Sequence, residues 1–494
     1  MTTESQTDVL IVGAGLAGLS AAVALSGAGA KVSLLERKPY IGGRAYSYPH
    51  PALGEIIDSQ HVLLGCCTNL IDLCRLCGAD KHIRWYDRIT FLEPVKDGHA
   101  ARRSSLGPSF LPAPMHSASS FLRASMLSVG DKARIALGLS EFLRGYPASD
   151  EEAFSVWLKR TKQTEQAIRH FWEPVIVGAL NDSFDRCSTR YAAQVFYESF
   201  LKSPEGGRLG IPTQPLSDFY SAAARLAEQQ GTALRLRSSV DSIARLPDGK
   251  WQAVTTDGTL HTAAHLVLAL PFEQAQKLLL TLPADEAARD QLLPSFGRFL
   301  HAPITTLHLW FDREITDLDH AALLDTRIQW VFNKSRIRKD EPSTAAESGQ
   351  YLELVISASF GELEQSKDQI LGLALAELQL FFPGARDARL LKSGMLKEAR
   401  ATFSVTPGLD AFRPIAATAS MGLYLAGDWT QTGWPSTMEG AVRSGRSAAE
   451  AVANAMDTSM NTSMNTSMDT SRKFLAPDMK ASGLMRLLPR RDPN

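Results

Sequence analysis

Cysteine, net charge and long apolar runs are all scarce in this chain of 494 residues, and each scarcity excludes a class of protein. The five cysteines are an odd number, which argues against a disulfide framework and favours a reducing compartment. A formal net charge of −1 gives no overall field that would attract nucleic acid. Only residues 9–30 are apolar for long enough to resemble a membrane span. We therefore expect a cytoplasmic protein with no nucleic-acid partner.

The apolar stretch is better explained as a nucleotide-binding unit than as a signal peptide or membrane span. Glu4 and Asp8 precede it, where a signal peptide carries positive charge. The apolar strand DVLIV is followed by Gly13, Gly15 and Gly18 at the spacing G-x-G-x-x-G. These glycines allow, in turn, a tight turn, close approach of a pyrophosphate, and close packing of the following helix on the strand.

The residues after these glycines complete the pattern. A helix from Leu16 to about Ser26 directs its free N–H groups and positive dipole end at the phosphate. A second strand, Lys31 to Leu35, ends in Glu36, whose carboxylate can accept hydrogen bonds from a ribose. Because strand, glycines, helix, strand and acid fall in order, the sequence predicts a dinucleotide site.

The segment Ile41-Gly42-Gly43-Arg44 indicates which dinucleotide binds. It resembles the second glycine pair and arginine of the flavoprotein superfamily that holds the amine oxidases and phytoene desaturases. The resemblance implies that Gly42 and Gly43 let the backbone pass close to FAD and that Arg44 lies near this cofactor. No second dinucleotide fingerprint is visible in the sequence, so we expect an external electron donor or acceptor.

A second motif near the other end of the chain resembles the C-terminal FAD motif of the same superfamily. A strand ends in Gly427-Asp428, and a helix begins at Thr437-Met438. Asp428 can accept a hydrogen bond from the ribityl chain. The helix N-terminus near Met438 would face the flavin pyrimidine edge and stabilise negative charge there. By the same resemblance, Val240, on a strand predicted over residues 234–243, supplies backbone hydrogen bonds near the adenine.

A closer resemblance appears at Asp58-Ser-Gln60-His61, which lies among leucines and is followed by a glycine and two cysteines. The pattern is similar to the squalene-associated branch of the superfamily, the FAD-dependent hydroxysqualene dehydroxylases of hopanoid biosynthesis. The apolar run from Phe171 to Asn181 carries the same resemblance and would form a cavity wall. A helical core segment with a kink is the alternative for that run.

The activity that this resemblance implies is reductive dehydroxylation of hydroxysqualene to squalene, with a hydrophobic isoprenoid as substrate. His61 is the candidate catalytic acid, since histidine can donate a proton near neutral pH. A histidine satisfied within the core is the alternative. Three other functions stay open: carotenoid or phytoene-type desaturation, amine oxidation with Lys334 as a candidate lysine near the flavin, and lipid binding without catalysis.

The fold implied is an α/β fold: a Rossmann-like FAD-binding domain of the glutathione-reductase type with an inserted substrate domain of mixed sheet and helices. Residues 1–75, 205–285 and 415–455 are assigned to the FAD-binding domain. Residues 76–204 and 286–414 are assigned to the substrate domain. Segments 304–311, 328–332 and 351–357 are predicted to be strands of a single sheet in that domain.

Two remaining features have simpler explanations. Cys66, Cys67, Cys74 and Cys77 include a C-x-x-C, but their neighbours fit the apolar stripe of one short helix, which favours core packing over a metal site. Residues 456–494 start with repeats of Met-Asp/Asn-Thr-Ser and are predicted to be a disordered tail. Basic and apolar residues mix near its end, so peripheral contact with the inner membrane face is an open alternative.

Overall fold

A computed structural model of the chain describes residues 7–94, 101–338, 349–464 and 473–488. Its strands are β1 (Thr7–Val12), β2 (Val32–Leu35), β3 (Ser47–His50), β4 (Glu55–Asp58), β5 (Leu63–Leu64), β6 (Ile83–Tyr86), β7 (Ile89–Glu93), β8 (Arg102–Leu106), β9 (Leu209–Pro212), β10 (Ala233–Arg235), β11 (Val240–Arg245), β12 (Trp251–Thr255), β13 (Leu260–Ala269), β14 (His301–Phe311), β15 (His320–Leu323), β16 (Trp330–Asn333), β17 (Gln350–Ser357), β18 (Leu390–Phe403) and β19 (Leu423–Ala426).

Its helices are α1 (Leu16–Gly27), α2 (Thr68–Leu76), α3 (Ala118–Arg123), α4 (Val129–Ser140), α5 (Phe154–Arg160), α6 (Glu165–Ala167), α7 (Glu173–Leu180), α8 (Thr189–Phe196), α9 (Leu216–Gln229), α10 (Phe272–Leu279), α11 (Ala287–Phe296), α12 (Lys334–Ile337), α13 (Lys367–Phe381) and α14 (Met438–Met464). Single π-helical turns follow α6, at Ile168–Trp172, and α8, at Tyr197–Leu201.

The first sheet has the strand order β10-β2-β1-β13-β12-β11, with β19 on β13. Strands β10, β2, β1, β13 and β19 run parallel, and β1, β2 and β19 are short, mostly buried apolar runs. Helices α1, α9 and α14 cover one face through a buried aliphatic cluster. This is the predicted Rossmann-like α/β arrangement, and it brings the ends of β1, β2 and β19 to the same edge.

The second sheet has the order β18-β14-β17-β16-β15-β7-β8. Most neighbours are antiparallel, and β15 pairs parallel with β7. The predicted strands at 304–311, 328–332 and 351–357 lie in this sheet as β14, β16 and β17, which confirms that expectation. Two distant parts of the chain, 89–106 and 301–403, supply the strands. The assignment of domain boundaries stays a prediction.

One smaller prediction about the first sheet differs from the structure. Residues 234–243 do not form one strand, because Arg237 adopts a positive φ of 57° and the chain turns between β10 and β11. β10 then pairs parallel with β2, whereas β11 pairs antiparallel with β12. Residues 260–269 form the single strand β13, which pairs with β12 at its start and with β1 and β19.

The helices between residues 118 and 201 pack around an aromatic core. Phe154 and Trp157 stack with ring centroids 5.2 Å apart, and Trp172 meets Phe196 edge to face at 4.8 Å. Each of these side chains is buried. Phe171 and Trp172 therefore serve mainly to join the helices, since aromatic packing of this kind stabilises a helical core.

The C-terminal region is more ordered than the predicted disordered tail, within the residues described. Helix α14 continues past Met456 to Met464, and residues 473–488 lie against the body of the protein. The N–H of Phe474 donates to Glu450 at 2.5 Å, and Met485 is buried. The residues that hold Phe474 and Met485 lie elsewhere in the chain, and residues 465–472 and 489–494 of the predicted tail lie outside the described residues.

No helix in the described ranges is long and apolar enough to cross a membrane. Residues 9–30 form β1, the glycine turn and α1 instead. Cys74 is buried on α2 among Leu70 and Leu73, as core packing predicts, and burial raises the pKa of its thiol. The described residues hold no group of three or more metal-ligating side chains.

Candidate functional site

The first glycine turn lies between β1 and α1 and depends on the absence of side chains. Gly13 has φ +104°, and a Cβ there would lie 2.4 Å from the carbonyl oxygen of Ala269 on β13. A Cβ on Gly18 would lie 1.9 Å from the carbonyl oxygen of Gly13. The turn can therefore close only with glycine at both positions, and α1 begins directly against it with its N–H groups facing the turn.

Glu36 lies beside this turn, at the end of β2. Its carboxylate is buried and accepts hydrogen bonds from the backbone N–H groups of Ala14 and Lys38, both at 2.8 Å. The carboxylate thus lies at the edge of the parallel sheet where a dinucleotide ribose is bound in this fold. Val240 follows Ser238, whose N–H donates to the carbonyl of Glu36 at 2.8 Å, so it lies near the same edge.

The second glycine pair meets the first turn. Gly42 forms a parallel bridge with Gly15, and its N–H donates to the carbonyl of Ala14 at 2.9 Å. A Cβ on Gly43 would lie 3.0 Å from the Cα of Gly15. The two turns therefore form a cradle of bare backbone next to a helix N-terminus and a buried carboxylate, and this chemistry fits the pyrophosphate and ribose of FAD.

Arg44 connects this cradle to the C-terminal motif. Its Nη2 lies 2.5 Å from Oδ1 of Asp428, a residue 384 positions away. The other Asp428 oxygen accepts a hydrogen bond from the Ser436 hydroxyl at 2.5 Å. The two motifs therefore lie side by side, and Gly427 is anchored by its N–H to the Ser444 hydroxyl at 2.8 Å.

The loop between Asp428 and α14 is held by Arg413, a residue that the sequence analysis missed. Its buried guanidinium donates to the carbonyls of Asp428, Thr430 and Trp434 at 2.9, 2.6 and 2.8 Å. Five N–H donors on a rigid plane suit this role. Nothing in the local sequence distinguishes Arg413 from a surface arginine, because its acceptors are backbone carbonyls.

Helix α14 begins at Met438, where the motif predicted it. The Thr437 hydroxyl accepts the N–H of Gly440 at 3.1 Å and so caps the first turn. The buried carboxylate of Glu439 accepts the N–H of Leu70 at 2.7 Å and the Nε of Arg443 at 2.6 Å. The starts of α14 and α2 are thereby fixed to each other.

A mainly apolar cavity of about 130 Å³ opens beside this helix start. One end is formed by Thr437, Met438 and Glu439. The remaining wall comes from four other segments, at Val62–Leu70, Gly178–Ala179, Gln194–Ser199 and Trp434–Pro435.

Of the run predicted as a cavity wall, Gly178 and Ala179 line the cavity, whereas Phe171 lies in the aromatic core. Asn181, in a left-handed turn, ties α7 to β14 and β18.

His61 precedes this wall, and its imidazole is held by the backbone. Its Nδ1 lies 2.7 Å from the carbonyl oxygen of Ser59, and burial lowers the pKa of the ring. A neutral imidazole that donates from Nδ1 leaves Nε2 as an acceptor. In this arrangement the ring takes up a proton only at a pH below the ordinary histidine pKa.

A buried ionic cluster lies behind His61. The Lys334 ammonium is 1% exposed and lies 2.7 Å from the Gln60 Oε1, 2.9 Å from Glu353 and 3.2 Å from Asp58. Arg338 lies 2.6 Å from Asp58. Burial opposes ionisation of Asp58, but the charges of Arg338 and Lys334 hold its pKa below its ordinary value. For Glu353, burial dominates and raises the pKa despite Lys334.

The cluster orders the segment that carries His61. Glu353 accepts the backbone N–H of Gln60 at 2.5 Å, and the Gln60 amide donates to the carbonyl of His61 at 2.7 Å. Sequence reasoning missed the roles of Glu353 and Arg338. A single carboxylate within the otherwise apolar strand YLELVIS was the signal available for Glu353, since a charge there needs a partner.

Comparison with known proteins agrees with this geometry. Residues 16–453 match the sequence profile of the flavin-containing amine oxidoreductases. The zeta-carotene desaturase of Synechocystis is 27% identical over 90% of this chain and 96% of its own length. The 15-cis-phytoene desaturase of Solanum lycopersicum is 26% identical over 90% of this chain and 77% of its own length.

Among solved structures, wild-type putrescine oxidase with bound putrescine superposes with a TM-score of 0.67 at 16% identity, covering 92% of this chain and 99% of that one. This likeness shows the α/β fold predicted from the sequence. With most of its length matched by the family profile and both glycine turns in place for FAD, the chain belongs to the flavin-containing amine oxidoreductase family, whose cofactor is FAD.

Proposed function

We propose that this FAD-dependent oxidoreductase acts on a long isoprenoid, and that its reaction is the reductive dehydroxylation of hydroxysqualene to squalene. The observation that carries the proposal is the mainly apolar lining of the cavity at the first turn of α14, whose volume of about 130 Å³ accommodates a segment of such a chain and not its whole length. A wall of this kind suits a hydrocarbon chain, since apolar ligands bind in concave sites with few polar groups. The desaturases among the relatives are named for zeta-carotene and phytoene, which are long isoprenoids too.

FAD, held by the turns at Gly13 and Gly42 and by Glu36, would supply the hydride. The chain itself would hold the substrate, exclude water and deliver a proton. In the balanced reaction the C–O bond breaks, the hydroxyl group takes a proton and leaves as water, and hydride adds to the carbon. Each turnover consumes two electrons and two protons, so an external electron donor is required.

His61 is the proposed proton donor to the departing hydroxyl group. The Ser59 carbonyl and the Gln60 amide fix its ring and backbone, and the Lys334 cluster fixes Gln60. Because burial lowers the pKa of His61, the active protonated form is a minority at neutral pH. A catalytic acid of this kind works best under mildly acidic conditions.

The pH dependence distinguishes dehydroxylation from its main competitor. If His61 donates a proton, the rate of squalene formation should rise as the pH falls below the ordinary histidine value of 6.5. His61→Gln should remove this rise. Loss of rate at low pH, together with conversion of phytoene to a more conjugated product, would instead assign the protein to desaturation with His61 as a neutral group.

The direct experiment compares substrates anaerobically on the flavin-loaded protein. We expect squalene from hydroxysqualene with dithionite as reductant, and no coloured product from phytoene with a quinone as oxidant. Both assays are needed because the relatives are named as desaturases, which favours the oxidation of phytoene. Formation of desaturated carotene without any squalene would overturn the proposal in favour of a carotenoid desaturase.

Amine oxidation is the third candidate because putrescine oxidase shares the fold. Lys334, the lysine considered for that chemistry, is enclosed by Asp58, Gln60 and Glu353 in this chain. Release of hydrogen peroxide with putrescine or simple primary amines would support amine oxidation. We expect none above the background of the flavin alone.

A further inference from the structure

Large apolar side chains are exposed in unusual number around one part of the protein. Phe110 is 96% exposed, Val129 84%, Leu487 77% and Leu122 66%, while Met115 and Leu484 are each 50% exposed. Isolated exposed apolar residues are ordinary, whereas a group of them marks an interaction site. We call these six residues the docking surface.

Hydrogen bonds hold the segments of the docking surface together. The N–H of Ser109 donates to the carbonyl of His116 at 2.7 Å, which closes the loop that carries Phe110 and Met115. The N–H of Leu484 donates to the carbonyl of Ala113 in the same loop at 2.8 Å. Lys132 Nζ donates to the carbonyl of Leu122 at 2.7 Å, which joins α3 to the first turn of α4.

The buried side chain of Met485 anchors the C-terminal part of the docking surface to the core. Met485 is 2% exposed and packs in one cluster with Ala113, Ala124 and Met126. The chain on either side of it presents Leu484 and Leu487 to solvent. The C-terminal segment is therefore fixed in place, and exposure of its leucines is a property of the folded protein.

The segments that carry the docking surface contain more basic than acidic residues, although Arg102 is paired with Glu93 and Glu205 lies near His116. Residues 101–140 contain the five basic residues Arg102, Arg103, Arg123, Lys132 and Arg134 and the single acid Asp131. Residues 479–488 add Lys480 and Arg486 and no acid. Asp131 is buried and caps α4. In a chain of net charge −1, this is a strong local excess of positive charge next to exposed apolar groups.

The docking surface also lies close to the cavity. The N–H of Ser482 donates to the carbonyl of Lys202 at 3.0 Å, and the Lys202 ammonium lies 2.7 Å from Glu198. Glu198 and Ser199 belong to the cavity wall. A partner bound at the docking surface would therefore lie beside the segment that encloses the cavity.

We propose that the docking surface binds an anionic lipid bilayer, with its apolar side chains inserted among the acyl chains and its basic side chains among the headgroups. Exposed apolar groups on segments that also carry basic residues are the combination that interfacial binding requires. An acidic protein surface would satisfy the charges but leave Phe110, Val129 and Leu487 without an apolar partner. This inference is independent of which isoprenoid the site accepts.

The test is co-sedimentation of the full-length, flavin-loaded protein with vesicles of phosphatidylcholine, with and without phosphatidylglycerol. We expect binding to the anionic vesicles, weakened by salt because exposed charges are screened. Phe110→Ser combined with Leu487→Ser should reduce the partition coefficient at least about tenfold, since each side chain buries apolar area in the bilayer. Arg123→Gln combined with Arg486→Gln should lower the partition coefficient for anionic vesicles and leave the coefficient for vesicles of pure phosphatidylcholine unchanged.

Met421→Ser combined with Leu260→Ser is the matched control. Met421 is 79% exposed and Leu260 54%, and both lie by the first sheet, away from the docking surface. The control should bind vesicles as the unchanged protein does, and flavin content verifies folding of every variant. Unchanged binding by the Phe110/Leu487 variant, or no wild-type binding to either vesicle, would refute the inference. A wild-type dimer in light scattering that this variant abolishes would also refute it, in favour of self-association.

Discussion

Glu36 and Glu353 are both buried carboxylates, but the protein compensates their burial in different ways. Glu36 follows β2 in the first sheet and accepts two backbone N–H groups, from Ala14 and Lys38. Glu353 lies within β17 of the second sheet and meets the Lys334 ammonium and the N–H of Gln60. The first is satisfied by backbone N–H groups of the same strand–helix–strand unit. The second depends on a countercharge and on a distant segment.

The difference determines how each region should respond to mutation. A site made of backbone turns is sensitive to side-chain volume at glycine and is little affected by loss of charge. A buried ionic cluster is sensitive to loss of any member, because the remaining charges stay buried without a partner. The following changes test this contrast, in order of their expected effect on stability.

Lys334→Met should have the largest effect, because it leaves Glu353 and Asp58 with less compensating charge in the interior. We expect the free energy of unfolding to fall by about 3–5 kcal/mol. Urea unfolding followed by circular dichroism measures this value. Lys250→Met, which removes an exposed lysine paired with Asp248, is the control and should leave the unfolding midpoint unchanged. A similar midpoint for both variants would contradict the ionic role of Lys334.

Acidification should destabilise the same region through His308. Burial and the Lys334 charge lower the pKa of His308 to about 3, whereas the unfolded chain has the ordinary value of 6.5. Between these values the unfolded state binds the additional proton, so stability falls as the pH decreases from 6.5 towards 3. Protonation of His308 in the unfolded state lowers the free energy of unfolding by up to about 4 kcal/mol at the acidic end of this window.

His308→Gln should flatten the dependence of the unfolding free energy on pH over this window. Other buried histidines, such as His320, titrate in the same direction, so part of the slope will remain. Urea unfolding at several pH values gives both curves. Parallel curves for the variant and the unchanged protein would show that His308 does not bind this proton.

Gly13→Ala should destabilise the first glycine turn, because the added Cβ has no space and the backbone conformation is strained for alanine. The added Cβ meets the Ala269 carbonyl at 2.4 Å, and φ of +104° is unfavourable for alanine, so we expect a loss of about 1–3 kcal/mol. Bound flavin, measured by its visible absorbance, should fall as well. Gly29→Ala, with a positive φ and open space around it, is the matched control and should retain flavin. Equal flavin loss in both would exclude the steric explanation.

His61→Gln should change stability least, by less than about 1 kcal/mol, because glutamine can retain a hydrogen bond to the Ser59 carbonyl. Its effect should appear in turnover, with a loss of roughly 100-fold or more if His61 transfers a proton. Thermal unfolding and steady-state rates separate the two quantities. A variant with unchanged turnover would remove His61 from the mechanism.

The sequence by itself determined the cofactor half of the protein. The glycine spacing at Gly13 and Gly42, the acid at Glu36 and the turn at Gly427-Asp428 each follow from backbone geometry within a few residues, so pattern alone locates them. The strands β14, β16 and β17 were found for the same reason, since apolar runs bounded by turns indicate buried strands.

Tertiary structure alone decided the rest. Lys334 on α12, Glu353 on β17 and Asp58 on β4 come together from separate elements. Arg413 finds its carbonyl acceptors across a loop, and Met485 fixes a C-terminal segment whose composition indicated disorder. Each of these contacts joins parts of the chain whose approach depends on the packing of whole sheets and helices. A local sequence pattern cannot predict these contacts, because the free energy that favours each contact is gained only when the distant partner is in place.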